Sequence, residues 1–412
     1  MTATRLNPQL WTLAAVEALL VLSLAVFAQS PRRPAAKRPA PEKPRPSAET
    51  NAEFDQLVKR ADEAREATQL LEALELYGKA LQLRPNWAEG WWYAGTILYE
   101  KDRYPEARDA FRNLVTLEPK RAHAWGMLGL CEFQTREYER AVNSLQRGRT
   151  LGLADNREIE GVVRYHTALL YIRFEQFEIA FEVLSEFVRE GRESPKIIEA
   201  CGLTMLRMAF LPNEIPPDKR EQVLLAGRAG FDMAARRLDD ARRTFTELLA
   251  RYPDSPNVHY VYGVFLLKQD SDAALEEFRR ELKISPDHMP SLLQMAFEYH
   301  KRNEFETALP LAEKAAQLAP KVFAARNILG RLLLELGQVE RAVKELEEGV
   351  RIAPQSPEMH YALARAYTRA GRKEDAARER AVFQQLEKQS NKNQDNPQSD
   401  GGTDNSRPTA KP

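Results

Sequence analysis

The sequence predicts an all-α protein: a right-handed superhelix (α-solenoid) of about nine helix-turn-helix units, with one irregular unit in the middle. Three observations carry this prediction. Alanines recur every 33 or 34 residues in two series, the first at Ala73, Ala107 and Ala141 and the second at Ala241, Ala274, Ala308, Ala342 and Ala376. Prolines keep the same period, at Pro85, Pro119, Pro253, Pro286, Pro320 and Pro354. Gly is only 19 of 412 residues and charged residues are 29%, a composition that favours helix over sheet.

Each repeat has the pattern of two helices joined by a turn. In the clearest unit, Trp91, Ala94, Gly95 and Leu98 fall at i, i+3, i+4 and i+7, which is one face of a helix. The polar stretch 102–105 breaks that pattern, and Ala107, Phe111 and Leu114 give the second helix an apolar stripe that ends at Pro119. We expect small residues where two helix backbones approach closely and large ones where a gap has to be filled.

The spacing resembles the tetratricopeptide repeat family, whose motif W-x2-L-G-x2-Y…A-x3-F…P is matched closely here. It appears as Trp91-Ala94-Gly95-Leu98…Ala107-Phe111…Pro119, as Trp125-Leu128-Gly129…Ala141-Leu145, and as Leu329-Gly330-Leu333…Ala342-Leu346…Pro354. The resemblance covers residues 54–388. A last polar helix over about 374–388 is expected to cap the stack.

The repeat is interrupted over residues 154–221. Ala168, Tyr171, Ala180 and Leu184 suggest one degenerate unit. The segment 196–209 then looks like a helix without a second half, because Pro216 and Pro217 prevent the chain from continuing as a helix. The pattern leaves open whether the superhelix is continuous there or bends into two blocks.

The N-terminal segment differs from the repeats. Residues 1–28 have Arg5 before an apolar run from about Leu10 to Ala28, the pattern of a signal peptide or a membrane anchor of a bacterial envelope protein. The segment 29–53 is rich in proline and basic residues and reads as a linker. Residues 10–28 and the basic stretch 32–45 could tether the chain to a membrane.

These features predict a location in the cell envelope, either periplasmic or secreted, or anchored to the membrane. The cytoplasmic side of the membrane is the alternative, because basic residues after an apolar segment tend to stay there. The C-terminal segment 389–412 is polar throughout and is expected to be a disordered tail.

Composition and motifs argue against several classes of function. Lys plus Arg and Asp plus Glu are both 60, so the net charge is zero and gives no reason to expect nucleic acid as a partner. The sequence contains no phosphate-binding glycine loop, zinc motif or nucleophile motif, so we expect no cofactor, metal or catalytic site. Cys131 and Cys201 are expected to be buried thiols rather than a disulfide, because a whole unit separates them.

The family resemblance implies that the first helix of each pair lines a concave groove that binds a segment of another protein. The residues expected to face it lie one step round from the packing stripe: Trp92, Thr96, Tyr99, Leu130, Phe133, Asn327, Arg331, Tyr361, Arg365 and Arg369. The groove is thus expected to be aromatic early and basic late, and both residue types are enriched in binding hot spots. For the aromatic side chains, packing between units is an equally good interpretation.

The sequence therefore favours a non-catalytic scaffold that binds a partner protein or peptide. One alternative is an enzyme with a site hidden in 154–221, around His166 or Glu175. Another is a structural protein that assembles end to end, although a polar last helix opposes such growth.

Overall fold

The computed structural model describes residues 48–153 and 156–394, and these residues form 19 α-helices and no strand. They fall into two compact units, 48–248 and 249–394, with the division inside the eleventh helix. We call the first helix of each pair an A helix and the second a B helix. The prediction of an all-α array of about nine helical hairpins is confirmed, because the described residues contain nine A–B pairs and one additional helix.

The first unit contains helices α1 to α10 and most of α11. Their bounds are α1 Ala48–Glu66, α2 Leu70–Leu83, α3 Ala88–Glu100, α4 Tyr104–Leu117, α5 Ala122–Gln134, α6 Tyr138–Leu151, α7 Arg157–Arg173, α8 Phe177–Arg189, α9 Pro195–Met205, α10 Arg220–Ala234 and α11 Leu238–Arg251. Helices α1 to α8 form four A–B pairs, and each pair also packs against the next.

The second unit contains the remaining eight helices. Their bounds are α12 Val258–Leu266, α13 Ser271–Ile284, α14 Met289–Lys301, α15 Phe305–Leu318, α16 Phe323–Glu335, α17 Val339–Ile352, α18 Pro357–Arg369 and α19 Lys373–Gln394. They form four A–B pairs stacked in chain order. The A helices α14 and α16 also pack against each other, as do α16 and α18.

Most A helices end in the same tight turn, which places one residue in the left-handed region. These residues are Thr68, Asp102, Arg136, Glu175, Arg207, Arg236, Asn303, Gly337 and Gly371, with φ between 52° and 76°. After α3, for example, the Arg103 N–H donates back to the Leu98 carbonyl at 2.9 Å, which closes the helix end. The turn reverses the chain so that the B helix packs back on the A helix.

The expected pairing of small and large residues is present inside the helical hairpins. A Cβ added to Gly95 would lie 2.9 Å from the Phe111 ring, and one added to Gly129 would lie 2.7 Å from Leu145. Phe111 and Leu145 are themselves fully buried. The glycines of the A helices are therefore required by the large side chains that the B helices insert.

The irregular region is narrower than the sequence suggested. Helices α7 and α8 form an ordinary pair, so the interruption is confined to α9 and the loop 206–219. Helix α9 ends like any A helix, with Arg207 at φ 52° and the Met208 N–H bonded to the Leu203 carbonyl at 2.9 Å. In place of a B helix the chain has a short 3₁₀ turn, Pro212–Glu214, and then enters α10.

Helices α9 and α10 touch backbone to backbone. A Cβ added to Gly202 would overlap the Val223 carbonyl, and one added to Gly227 would overlap the Ile198 carbonyl. Leu211 and Ile215 of the connecting loop are buried, so the loop packs as part of the unit. At these glycines, α9 and α10 approach each other more closely than any other two helices of the first unit do at a glycine.

The ends of the array differ slightly from the expected bounds. Helix α1 begins at Ala48, inside the segment 29–53 interpreted as a linker, and α19 continues past residue 388 to Gln394. The predicted signal or anchor at 1–28 and residues 395–412 of the predicted tail lie outside the described residues. Among the described helices, none is long and apolar enough to cross a membrane.

Candidate partner-binding surfaces

Two sets of A-helix side chains match the predicted groove residues, one in each unit. In the first unit, the aromatic surface consists of Trp92, Tyr99 and Phe133. Trp92 is half-buried, with its ring 5.8 Å from that of Phe111 and the Arg121 guanidinium 4.8 Å from its centroid. Tyr99 lies edge-on to Tyr104 at 5.3 Å. Both side chains therefore pack against the core and still expose part of their surface.

Phe133 continues the aromatic surface onto α7. Its ring is 5.7 Å from that of Tyr138 and 4.8 Å from the His166 imidazole. His166 Nδ1–H donates to the Val162 carbonyl of its own helix at 2.8 Å. Burial lowers the pKa of His166, which keeps the ring neutral. Phe133 thus touches the histidine that the enzyme alternative had invoked, and the contact is one of aromatic packing.

Two of the predicted groove residues in the first unit have other roles. Leu130 is 3% exposed and belongs to the hydrophobic core, so the prediction that it faces a partner is wrong. Thr96 is half-buried, and its hydroxyl donates to the Tyr93 carbonyl at 3.0 Å within α3. Helical periodicity gives the position of a residue around its helix but no measure of its depth.

The second unit carries the basic surface, formed by Arg331, Arg365 and Arg369 around Glu335. Glu335 pairs with Arg365 at 2.9 Å and with Arg369 at 3.3 Å. Within the described residues, no carboxylate lies at ion-pair distance from the half-buried Arg331 guanidinium. Two guanidinium groups thus share one carboxylate and a third, that of Arg331, lies near it without an ion pair, which leaves a local excess of positive charge.

The electrostatics of this surface follow from that excess. Burial, reinforced by the charge of Arg365, lowers the pKa of Arg331. Burial acts to raise the pKa of Glu335, but hydrogen bonds and charge from Arg365 and Arg369 outweigh it, and the pKa is lowered. A partly desolvated cation with a like-charged neighbour is stabilised by any anion that binds beside it.

Two buried polar atoms beside these arginines lack a hydrogen-bond partner among the described residues. Asn327 is 8% exposed and lies one helical turn before Arg331, and its Oδ1 accepts no hydrogen bond. The second atom is Nε2 of His300, on the adjacent A helix α14. Burial, and next the charge of Arg331, lower the pKa of His300 to about 4. Buried polar groups are seldom left unpaired, so water or a bound ligand is expected to complete the hydrogen bonding of these two atoms.

Tyr361 lies on α18, one turn before Arg365. It is 42% exposed and is one of the large apolar side chains most open to solvent in the described chain. One face of its ring is covered by Phe383 of α19, at 5.4 Å between centroids. It extends the basic surface with an aromatic contact of the kind found at binding hot spots.

Sequence reasoning missed His300 and Glu335. The repeat itself contained the signal for His300, which follows Ala296 by four residues just as Tyr99 follows Gly95 and Phe133 follows Gly129. His300 therefore occupies the same position in its repeat as Tyr99 and Phe133 occupy in theirs. Glu335 follows Arg331 by one helical turn, and its two arginine partners on the next A helix could not be inferred from one sequence.

The remaining reactive groups are buried or scattered. Burial raises the pKa of both Cys131 and Cys201 to about 12, and both thiols are free, as the sequence predicted. Glu175 is exposed in the turn after α7. Over 48–153 and 156–394, no three His, Cys, Asp or Glu side chains come together as metal ligands would.

Models of the tetratricopeptide repeat match residues 58–117, 98–150, 232–288 and 299–365, and together these matches cover more than half of the chain. Similar proteins include anaphase-promoting complex subunit 3 of Schizosaccharomyces pombe, 22% identical over 75% of this chain and 44% of that protein. The BBSome complex member BBS4 of Bos taurus is 20% identical over 78% of this chain and 62% of that protein. The chain thus spans less than two thirds of either relative.

Two solved structures are also similar. MamA from Desulfovibrio magneticus RS-1 has a TM-score of 0.38 at 21% identity and covers 41% of this chain and 96% of that one. Yeast Tom70 has a TM-score of 0.34 at 12% identity and covers 82% of this chain and 85% of that one. With the helical hairpins, their glycine contacts and the matched segments taken together, the chain belongs to the tetratricopeptide repeat family.

Proposed function

We propose that this protein is a non-catalytic scaffold that holds an acidic segment of a partner protein against the basic surface of its second unit. The observation that carries the proposal is that three arginines lie near the single carboxylate of Glu335, which pairs with Arg365 and Arg369 but not with Arg331. Two curated relatives are named as members of protein complexes, which supports a protein as the partner.

The chemistry of the surface favours an acidic peptide over other ligands. Guanidinium groups bind carboxylates with paired, charge-assisted hydrogen bonds. A primary amide such as that of Asn327 can both donate and accept, which suits a peptide backbone. The exposed face of Tyr361 offers apolar contact beside them. The aromatic surface of the first unit is proposed as a second contact, since Trp92, Tyr99 and Phe133 remain half-exposed.

The test is binding of a fluorescein-labelled (Ser-Glu)₄ peptide, followed by anisotropy at pH 7.5, with (Ser-Gln)₄ as the uncharged comparison. We expect the variant Arg331→Glu with Arg365→Glu to bind at least about tenfold more weakly, because it places negative charge where the ligand's carboxylates lie. The matched control is Lys321→Glu with Lys344→Glu, which makes the same change in net charge at two exposed positions.

The proposal predicts that only the arginine variant loses affinity while circular dichroism stays helical. Equal loss in both variants would mean that net charge alone draws the peptide. No loss in either would show that the basic surface is not the binding site.

We further propose that the scaffold acts in the cell envelope, periplasmic, secreted or membrane-anchored. The support is the sequence of residues 1–28, with Arg5 before an apolar run. Fractionation of the native host expressing the chain with and without residues 1–50 tests this: both forms in the cytosol would contradict it.

A further inference from the structure

The imidazole of His300 faces charges from two neighbouring A helices. Arg331 and Glu335 of α16 and Arg365 of α18 lie close enough to act on it electrostatically, and α15 contributes the ring of Phe305 at 5.6 Å. On its own helix, Lys301 is engaged by Glu298 at 2.8 Å. Toward α13, the guanidinium of Arg279 donates to the Tyr299 hydroxyl at 2.7 Å. The groups that face His300 therefore carry two positive charges and one negative charge.

Nε2 of His300 is buried and has no hydrogen-bond partner among the described residues. An imidazolium at this position would be opposed by both arginines and by burial, so the free protein keeps the ring neutral. The arginines cannot relieve the repulsion by losing a proton, because a guanidinium stays charged in proteins. His300 and Glu335 are the groups of this cluster that can take up a proton when an anion binds, and of the two His300 has the ordinary pKa nearer to neutral pH, about 6.5 against about 4.3.

We propose, on the basis of the function proposed above, that binding of the acidic segment is coupled to protonation of His300. When a carboxylate of the segment binds beside Arg331, His300 takes up one proton from solvent, and its Nε2–H donates a hydrogen bond to that carboxylate. The carboxylate offsets the two positive charges that otherwise oppose the imidazolium. The scaffold therefore holds its partner more tightly at mildly acidic pH and releases it as pH rises.

The size of the effect follows from linkage. The pKa of His300 is about 4 in the free protein. A bound carboxylate that returns it to the ordinary value of about 6.5 makes binding about tenfold tighter at pH 5.5 than at pH 7.5. Glutamate side chains of the probe, with pKa values near 4.3, stay largely ionised over this range.

The experiment measures binding of the (Ser-Glu)₄ peptide at pH 5.5 and pH 7.5 to the full chain and to His300→Gln, with His123→Gln on α5 as the matched control. We expect the natural chain and the control to bind the peptide about tenfold more tightly at pH 5.5 than at pH 7.5. The affinity of His300→Gln should change by less than about twofold between the two pH values. Calorimetry at pH 6 in two buffers of different ionisation enthalpy should show proton uptake on binding.

A second measurement does not depend on any variant. The ¹H–¹⁵N signals of the His300 ring, titrated from pH 4 to 8 with and without the peptide, give its pKa directly in both states. A pKa that is unchanged by the peptide overturns the inference, and so does equal affinity of the natural chain at both pH values. Either result leaves the proposed function standing if Arg331 and Arg365 are still required at pH 7.5.

Discussion

Individual glycines decide which helices of this protein can approach one another. Gly95 and Gly129 leave room for the Phe111 and Leu145 side chains of their own hairpins. The repeat predicts those two, because small residues recur at that register. Gly202 and Gly227 admit a backbone carbonyl instead, at the contact between α9 and α10, and lie where the repeat is interrupted. The sequence held no second copy of that contact from which it could be predicted.

We expect Gly202→Ala to destabilise the first unit by roughly 3 kcal/mol or more, because the new methyl group overlaps the Val223 carbonyl and two helices have to separate. Gly78→Ala is the matched control on α2, where an added Cβ meets nothing within 4 Å. That change should stabilise by roughly 0.5–1 kcal/mol. Urea denaturation measures both; similar small effects would show that α9 and α10 are not in backbone contact.

The left-handed turn that follows most A helices stores strain wherever its left-handed residue is not glycine. Thr68 is the clearest case, because it is β-branched, exposed and at φ 61°. We expect Thr68→Gly to raise the free energy of unfolding by roughly 0.5–1 kcal/mol. Glycine releases the backbone strain of the folded state, and the greater flexibility of the unfolded chain offsets part of that gain. Thr68→Ala keeps the backbone strain and should stabilise the protein much less than Thr68→Gly does. Equal stabilisation by the two variants in thermal denaturation would refute the explanation.

At the scale of the elements, hydrogen bonds from the A helices hold the prolines that follow the preceding B helices. A side-chain N–H group of the A helix donates to the backbone carbonyl of the repeating proline, six residues earlier in the chain. The donors are Trp91 to Pro85 at 2.8 Å, Trp125 to Pro119 at 2.9 Å, His259 to Pro253 at 2.8 Å and His360 to Pro354 at 2.9 Å. The period of the prolines was visible in the sequence, but these hydrogen bonds were not, because different residue types supply the same donor.

One of these contacts makes stability depend on pH. His259 Nδ1 lies 2.6 Å from the Glu277 carboxylate and Nε2 lies 2.8 Å from the Pro253 carbonyl, and because both partners accept, these contacts favour the imidazolium, which carries a proton on each nitrogen. The hydrogen bond to Glu277 raises the pKa of His259 against the opposing effect of burial. A raised folded pKa means that this stabilisation is complete below the unfolded value of about 6.5 and is lost as pH rises through the folded value.

We therefore expect the second unit to lose stability as pH increases above about 6.5. His259→Gln should be less stable at pH 6 and should lose this part of the pH dependence, while His123→Gln should keep it. Chemical denaturation at several pH values between 6 and 9 provides the measurement. A slope that is identical in His259→Gln and the natural chain would contradict the assignment.

The region around α9 and the loop 206–219 shows which structural features the sequence pattern predicts and which it does not. The prolines at 216 and 217 correctly predicted that the helix before them has no second half, since proline removes a backbone donor and blocks helix continuation. The pattern also extended the interruption back to residue 154, because the α7–α8 hairpin has none of the usual tryptophan, glycine or proline landmarks. That hairpin is nonetheless regular, with a buried core that includes Ala168, Ala180 and Leu184. The α7–α8 hairpin thus packs like the others although it lacks the residues by which the motif is recognised in the sequence.

At the scale of the whole molecule, the repeat gave the fold and the candidate basic surface together. The sequence places Arg331, Arg365 and Arg369 one step round from the packing stripe, and in the structure Glu335 pairs with Arg365 and Arg369 and acts electrostatically on Arg331. The burial of each side chain could not be predicted: Leu130 and Asn327 are both buried, while Tyr361 is exposed. The position of a residue around its helix follows from the periodicity of the sequence. Its burial depends on side chains of neighbouring helices, and a single sequence does not show which of them lie against it.

Site-specific photo-crosslinking in the native host tests the central claim most directly. A photoreactive phenylalanine analogue placed at Tyr361 samples the A-helix face, and one placed at Lys344 samples the exposed side of B helix α17. We predict that Tyr361 forms a discrete adduct whose crosslinked peptide is acidic, that Arg331→Glu with Arg365→Glu removes it, and that Lys344 forms none. Adducts at Lys344 alone, or an adduct at Tyr361 that survives the double substitution, would show that the partner is held elsewhere.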